Sequence, residues 1–130
     1  MRQLTVVCEN KPGVLADVAG RIGAQGVNIE AITAETFGEG AVIRVVTNDP
    51  SSAKSALEAG HYKVSESEIL VVGFPDRPGE IAKIAKKLGA SGVNIENIYL
   101  LNKRDGEMQL ALKVSDLEKA RKTIGRENLR

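Results

Sequence analysis

The chain repeats itself after 66 residues, and this repeat constrains the fold more than any other feature of the sequence. Residues 26–30, GVNIE, return letter for letter as residues 92–96. The Pro-Gly pair at 12–13 returns at 78–79 with the same offset. Self-similarity at a fixed spacing is the signature of one structural unit present more than once. The sequence therefore predicts two small tandem modules, which we place at residues 1–66 and 67–130.

Within each module the hydrophobic pattern predicts a strand, a helix and two further strands. A β-rich run comes first, at Leu4–Cys8 and again at Glu68–Phe74. After each Pro-Gly pair, apolar residues recur at the i, i+3, i+4, i+7 spacing of a helix with one buried face. They are Leu15, Val18, Ala19 and Ile22 in the first module and Ile81, Ile84, Ala85 and Leu88 in the second. The two strands that follow flank a glycine turn, so we expect each pair to be antiparallel.

A second helix and a fourth strand are predicted to complete the module. The helix begins at Asp49-Pro50 in the first module and at Ser115 in the second, where Ser115 and Glu118 form a capping box. A strand at 62–65 closes the first module. Together these elements give βαββαβ, the ferredoxin-like order. The predicted fold class is α+β, with two tandem ferredoxin-like modules, antiparallel sheets and the helices on one face.

The second module lacks a good candidate for its fourth strand. Residues 128–130 stand at the expected place but have poor strand chemistry, so we expect that strand to be missing or vestigial. An unpaired sheet edge favours oligomerisation, because proteins cover such edges or pair them with another chain. Some strands are also apolar at both alternating sets of positions, as at Leu70 and Val71. This pattern favours packing on both sheet faces, with scattered exposed apolar residues as the alternative.

The composition restricts the classes of partner and the cellular location that we expect for the protein. The formal net charge is +1 and charges of both signs are interspersed, which disfavours nucleic acid and acidic membranes as partners. Cys8 is the single cysteine, which excludes a disulfide within the chain and a multi-cysteine metal site. No apolar run approaches the roughly 18 residues of a membrane span or resembles a signal peptide. We expect a soluble cytoplasmic protein without a cofactor.

The repeated Pro-Gly pairs suggest a binding site. The first turn of a helix exposes N–H groups without partners and carries about half a positive charge, so a small anion fits there. Gly13 and Gly79 let a ligand approach the backbone, and Asn10 or Asp76 can cap the helix or bind donor groups of a ligand. N–H groups that hold a carboxylate, with side-chain amides such as those of Asn28 and Asn94 reaching an ammonium, describe a free amino acid. The alternative is helix-start and turn chemistry without any ligand.

The sequence NKPGVL at 10–15 with GVNI at 26–29, and its second copy at 76–81 and 92–95, resembles the signature of the ACT domain family. The resemblance covers both modules. It implies modules that bind amino acids or similar small metabolites and regulate enzymes of amino-acid metabolism. It also implies side-by-side pairing, with the ligand between the first loop and helix start of one module and the second strand of its neighbour.

In serine-sensing members of this family, two asparagines and a histidine hold the ligand. Asn10 and Asn28 match the two asparagines, and Cys8 stands at the histidine position. Phe74, Asp76 and Asn94 take these places in the second module. The resemblance therefore implies two sites that differ in their ligand contacts.

The predicted ligand-binding residues come from the helix starts and from the beginning of the second strand of each module. In the first module they are Asn10, Lys11, Pro12, Gly13, Val14, Leu15, Asn28 and Ile29. In the second module they are Asp76, Arg77, Gly79, Glu80, Ile81, Asn94 and Ile95. No catalytic residue and no metal ligand is predicted.

Other reactive side chains have simpler interpretations. His61 is the only histidine, and we expect it to lie in an exposed loop. Cys8 lies on the inner alternation of its strand and is expected to be a small core residue. The repeated Glu30 and Glu96 are expected to be solvated or salt-bridged. RNA-recognition domains share the element order but stack bases on aromatic residues, which make up only 3% of this chain.

We expect a stand-alone regulatory protein without catalytic activity. It would sense an amino acid at the interface of paired modules, act on a partner enzyme, and form a homodimer or higher oligomer. The competing hypothesis is a structural or assembly subunit that uses the same fold to oligomerise and binds no ligand.

Overall fold

A computed structural model describes residues 1–130 and divides them into two compact units, Met1–Glu68 and Ile69–Arg130. Each unit is an α+β module with an antiparallel sheet, so the predicted fold class is confirmed. No helix combines the length and the hydrophobicity that a membrane span requires.

The first unit has the complete βαββαβ order. Its elements are β1 (Arg2–Glu9), α1 (Val14–Ala24), β2 (Ile29–Phe37), β3 (Gly40–Thr47), α2 (Pro50–Ala59) and β4 (Lys63–Glu68). The sheet order is β2-β3-β1-β4, and every neighbouring pair is antiparallel. The strand β4 extends three residues beyond its predicted end, since it pairs with β1 as far as Arg2 and Glu68.

The second unit repeats this order up to its last strand. Its elements are β5 (Leu70–Pro75), α3 (Glu80–Ala90), β6 (Ile95–Arg104), β7 (Glu107–Val114), α4 (Leu117–Ile124) and a 3-10 helix (Arg126–Asn128). The sheet has three strands in the order β5-β7-β6.

The C-terminal residues cover the edge of β5 where a fourth strand would lie. Leu129 forms a single antiparallel bridge with Val72. The Arg130 N–H donates to the carbonyl of Val71 at 2.7 Å, and Asn128 Nδ2 donates to the carbonyl of Gly73 at 2.9 Å. The expectation of an unpaired edge at β5 is wrong, and this edge gives no argument for oligomerisation.

Both helices of each unit pack on the same face of their sheet and enclose a hydrophobic core. In the first unit the core is formed by Leu4, Val6, Val14, Val18, Ile22, Val27, Ile43, Val45, Ala53 and Leu57. In the second unit it is formed by Leu70, Val72, Ile84, Leu88, Val93, Met108, Leu110, Leu112, Ala120 and Ile124. Burying one such leucine or isoleucine contributes about 1.5–3 kcal/mol, so these clusters are the main stabilising contacts of each unit.

The buried stripe of the first helix of each unit differs from the prediction by one residue. The helix α1 buries Val14, Val18 and Ile22, whereas Leu15 is 46% exposed. In the same way Ile81 on α3 is 47% exposed. One residue turns a helix by about 100°, so the residue after the first buried position lies on the flank of the helix instead of facing the sheet.

The sheet face opposite the helices is also buried along the central strands. Gln3 and Val46 in the first unit and Ala111 in the second are all fully buried, although they point away from the helices. The alternative of scattered exposed apolar residues therefore does not describe these central positions. Val7 and Phe37 on the same face remain exposed.

The second helices begin at aspartate caps. Asp49 Oδ1 accepts a hydrogen bond from Ser52 N in α2, as the Asp-Pro start predicts. In α4 the cap is Asp116, whose Oδ1 accepts from Lys119 N at 3.0 Å. The predicted Ser115 capping box is wrong, because the Ser115 hydroxyl instead accepts from the Asn94 N–H at 2.9 Å.

Candidate functional site

The two Pro-Gly pairs start their helices in the same way. Gly13 and Gly79 are the residues before α1 and α3, and both are left-handed, with φ of 91° and 87°. Glycine adopts this conformation readily, whereas a residue with a Cβ is strained there. No side chain caps either helix, so the first-turn N–H groups are not occupied by the protein's own side chains.

Each uncapped turn lies beside a cleft that reaches to the second and third strands of its unit. The cleft of the first unit has a volume of ≈ 90 Å³. It is lined by Glu9, Asn10, Lys11, Val14, Leu15, Ala34, Glu35, Thr36, Ala41 and Ile43. The cleft of the second unit has a volume of ≈ 530 Å³. It is lined by Asp76, Arg77, Pro78, Gly79, Ile81, Ala82, Leu100, Lys103, Met108 and Leu110.

The side chains two residues before each proline also differ between the units. Asn10 Nδ2 donates to the carbonyl of Gly38 at 3.0 Å and ties the loop to the hairpin turn of the first unit. Asp76 has no amide donor and instead forms an ion pair with Lys103 Nζ at 3.2 Å. Neither side chain caps its helix. The backbone contacts are alike, since the N–H groups of Asn10 and Asp76 both reach hairpin carbonyls at 2.8 Å.

The predicted residues at the start of the second strand lie far from the helix start. In β2, Ile29 pairs with Thr47, whereas Phe37 pairs with Gly40 beside the Asn10 loop. The seven residue steps along β3 correspond to roughly 24 Å at about 3.4 Å per residue. Asn28 therefore cannot share one small ligand with Asn10 of the same unit. Ile29 packs against the core.

The second unit has the same separation. Asn94 and Ile95 stand at the beginning of β6, away from the loop of Asp76. Ile95 packs against the core of the unit. A ligand site that combines a helix start with the asparagine before a second strand therefore needs residues from two modules, as the sequence resemblance implies.

Glu80, also predicted as a ligand contact, lies outside the cleft. Its side chain is only 7% exposed, and its Oε2 forms ion pairs with Arg77 at 3.5 Å and Lys83 at 3.3 Å. It lines a separate cavity of ≈ 230 Å³. A carboxylate in the first turn of a helix is stabilised by the helix dipole, which helps to explain how a glutamate is tolerated where the first unit buries Val14.

A further groove of ≈ 510 Å³ lies between the ends of β1 and α2 and includes Cys8, His61 and Tyr62. Burial raises the pKa of the Cys8 thiol, and neighbouring Glu9 adds to this effect. Cys8 packs against the core, as predicted, and His61 lies in an exposed turn, as predicted. The Tyr62 hydroxyl donates to Asp17 Oδ2 at 2.5 Å, which raises the pKa of Tyr62 to about 12 and lowers that of Asp17.

The repeated glutamates have the surface contacts that the sequence predicts. Glu30 is exposed and accepts a hydrogen bond from Asn28 Nδ2 at 3.4 Å. Glu96 is exposed and forms an ion pair with Lys113 Nζ at 2.8 Å. Neither residue belongs to a cleft.

The sequence prediction missed the cleft residues that belong to the strands. In the second unit these are Leu100, Lys103, Met108 and Leu110. The repeat contained part of the signal, because the 66-residue offset aligns Ala34 with Leu100 and Leu15 with Ile81. A large apolar residue in place of alanine beside the helix start marks the wall of the larger cleft.

Comparisons with known proteins agree with this architecture. The family model of the ACT domain matches residues 2–59. Protein BT0572 from Bacteroides thetaiotaomicron has a similar structure, with 25% identity and a TM-score of 0.88 over 99% of this chain and 90% of that chain. No curated protein matches the chain.

Two solved regulatory subunits of aspartate kinase have the same fold. The ligand-free subunit from Thermus thermophilus has 17% identity and a TM-score of 0.74 over 95% of this chain and 89% of that chain. The subunit from Thermus flavus has 18% identity and a TM-score of 0.66 over the same shares. At these identities the similarity establishes the fold of both units.

Proposed function

Since residues 2–59 form an ACT domain and the second unit repeats its fold, we propose that this protein is a regulatory protein that binds a free amino acid. One observation carries the proposal. In both units, the first helix begins after a left-handed glycine, no side chain caps it, and a cleft lies beside its first turn. The site residues are those of the two helix starts.

The chemistry of the helix start suits a zwitterion. A carboxylate can accept hydrogen bonds from the first-turn N–H groups, for example those of Leu15 or Ile81, where the helix dipole also favours negative charge. The ammonium group needs an acceptor. Asn10 uses its amide nitrogen to bind Gly38, which leaves its carbonyl oxygen for a ligand. The Asp76 carboxylate has the same role in the second unit.

We propose that each site is completed by a neighbouring module. Asn28 and Asn94 are too far from the helix start of their own unit to contact the same ligand. Ile32 and Ile98 are exposed apolar side chains on β2 and β6, strands that pair on one side only. Pairing of modules along these edges would cover them and bring an asparagine to each ligand. A homodimer or higher oligomer follows from this arrangement.

The output of ligand binding would be exerted on a partner enzyme of amino-acid metabolism. A bound metabolite shifts only those equilibria whose states it binds unequally, so the amino acid would favour the paired state of the modules. The fold similarity to regulatory subunits of aspartate kinase supports a role of this kind, in which regulation and catalysis belong to different chains.

A thermal-shift screen of the full chain against the common amino acids tests this proposal. A ligand at a hundred times its dissociation constant adds about 2.7 kcal/mol, which corresponds to a shift on the order of 10 °C. The double variant Asn10→Ala with Asp76→Ala should lose the shift, because both ammonium acceptors are removed. The control, Glu39→Ala with Arg104→Ala on the hairpins, should keep it. No shift with any amino acid would refute the proposal.

A second candidate function is a subunit that uses this fold only for assembly. The exposed Ile32 and Ile98 favour it, because apolar side chains beside strand edges are what an association surface offers. Sedimentation velocity with and without an amino-acid mixture separates the two functions. An assembly subunit would keep one oligomeric state throughout, whereas a sensor would change its association when the ligand is added.

A further inference from the structure

The two clefts differ in the class of ligand they fit. Resting on the proposed function, we propose that the cleft of the second unit takes an amino acid with a large apolar side chain, such as leucine, isoleucine, methionine or phenylalanine. The cleft of the first unit is much smaller, so the inference concerns the second unit alone.

Volume separates the two clefts most clearly. Sites for small molecules typically have volumes of about 300–1,000 Å³. The ≈ 530 Å³ of the second cleft lies within this range, and the ≈ 90 Å³ of the first lies well below it. The second cleft is therefore the one whose volume matches a ligand with a branched or aromatic side chain.

The lining of the second cleft is apolar in its floor and its walls. Met108 and Leu110 are 5% and 2% exposed and belong to the packed core, so they form a fixed floor. Ile81 and Leu100 are about half exposed and form the walls. A ligand side chain lying between them would remove apolar surface from water, which contributes about 25 cal/mol per Å². A polar side chain lying between these four apolar residues would lose hydration without gaining this contribution.

The entrance carries a pair of charges that complements a zwitterion. Asp76 and Lys103 are paired at 3.2 Å, and both side chains are partly exposed. Exposed pairs of this kind contribute about 0–1 kcal/mol, so the pair can exchange partners at low cost. Lys103 would then share the ligand carboxylate with the first-turn N–H groups, and Asp76 would bind the ammonium. At the corresponding positions the first cleft has uncharged Asn10 and Thr36, and its lining charges are those of Glu9, Lys11 and Glu35.

An irregularity in β6 accounts for the position of Lys103. The pairing of β6 with β7 shifts register between Leu100 and Asn102, and the corresponding part of β2 shows no shift. A bulge adds a residue to one strand and redirects the side chains that follow it. As a result Lys103 pairs with Met108, where Thr36 pairs with Ala41 in the first unit. The second unit therefore has a cation at a place where the first unit has a hydroxyl.

Calorimetric titration of the full chain with leucine, methionine, phenylalanine, serine and aspartate tests the inference. At least one apolar amino acid should bind at least tenfold more tightly than serine and aspartate. Leu100→Ala, which copies Ala34 of the first unit, should weaken that binding at least tenfold, since one to a few methylene contacts are worth about 10–200-fold. Val7→Ala is the control, because Val7 is a similarly exposed apolar side chain on a strand that pairs on both sides, and it lines neither of the two clefts. It should change the affinity less than about twofold.

The outcomes distinguish this inference from the proposed function. Binding of polar amino acids alone, or binding of apolar ones that Leu100→Ala does not weaken, would overturn the inference and leave the regulatory proposal intact. Loss of leucine binding in Leu15→Ala but not in Leu100→Ala would assign the ligand to the first cleft and also overturn it. Absence of binding by every amino acid would overturn both.

Discussion

The two units share the same order of elements up to the last strand and have different side chains around the same helix start. Both keep the left-handed glycine before the helix and the backbone hydrogen bond from the preceding loop to the hairpin. The first unit buries Val14 and ties its loop down with Asn10, whereas the second buries Glu80 and pairs Asp76 with Lys103. The comparison teaches that backbone geometry is retained where a turn requires it, while the chemistry beside the turn has diverged.

The units also differ in how their first strand is covered. In the first unit β4 forms a full strand beside β1, and Tyr62 before it bonds to Asp17 on α1. In the second unit one bridge at Leu129 and a few hydrogen bonds take the place of that strand. The same sheet position is thus closed by a regular strand in one unit and by an irregular segment in the other.

The largest expected effect comes from exchanging the buried residue at the helix start. Val14→Glu should lower the free energy of unfolding by about 3 kcal/mol, because it buries a charge without adequate compensation. The second unit pairs Glu80 with Arg77 and Lys83. The first unit has Lys11 at the place of Arg77 but Asp17 at the place of Lys83, and Asp17 would repel the new carboxylate. Urea unfolding measures the change. The free energy of unfolding of Glu80→Val should stay within about 1 kcal/mol of the wild-type value. A change as small as this in Val14→Glu would contradict the account.

Substitution of the left-handed glycines should have the next largest effect. Gly13→Ala and Gly79→Ala should each cost about 1–2 kcal/mol, because a Cβ is strained at φ near 90° although open space surrounds it. Gly20→Ala in the exposed interior of α1 is the control and should stabilise by about 0.5–1 kcal/mol. If Gly13→Ala and Gly20→Ala changed the urea midpoint equally, backbone strain at Gly13 would not be the cause of the lost stability. Glycine replacement here also perturbs folding, so it is a poor probe of ligand binding.

A smaller effect is expected for the side chains that hold the two loops. Asn10→Asp should cost about 1 kcal/mol, because it removes the hydrogen bond to the carbonyl of Gly38. Asp76→Asn removes a partly exposed ion pair and should cost less than about 0.5 kcal/mol. Thermal denaturation of the two variants compares these contacts directly. A larger loss of stability in Asp76→Asn than in Asn10→Asp would contradict this expectation.

The smallest effect is the pH dependence that comes from the contact between Tyr62 and Asp17 in the first unit. The bond to Asp17 raises the pKa of Tyr62 to about 12, so its contribution to stability is complete below the ordinary tyrosine pKa of about 10 and is lost as pH rises through 12. The pKa of Asp17 is lowered by its hydrogen bonds from Tyr62 and Arg21, so its contribution is present at neutral pH and is lost in acid.

Tyrosinate absorbance measures this effect, with Tyr62→Phe separating Tyr62 from Tyr99. In Asp17→Asn the Tyr62 pKa should fall toward its ordinary value, because the negative acceptor is gone. A Tyr62 titration that stays the same in Asp17→Asn would show that the hydrogen bond does not control it.

The sequence predicted the fold well because the repeat and the glycine turns are local signals. Strand ends differ by a few residues, and the error at Ser115 arose because Asp116 was the better cap while the serine hydroxyl bonded Asn94. The site was harder to predict. The motif spacing could not reveal that Asn10 and Asn28 lie at opposite ends of the sheet, because that separation depends on strand register. Nor could it reveal the bulge after Leu100, which places Lys103 at the cleft.

The most direct test of the central claim is an amide chemical-shift titration of the full chain with the amino acid that binds most tightly. The account predicts saturable shifts that are largest at Gly79, the residue before α3, and at Ile81 and Ala82 in its uncapped first turn. Saturable shifts confined to other regions, with these amides unmoved, would contradict it.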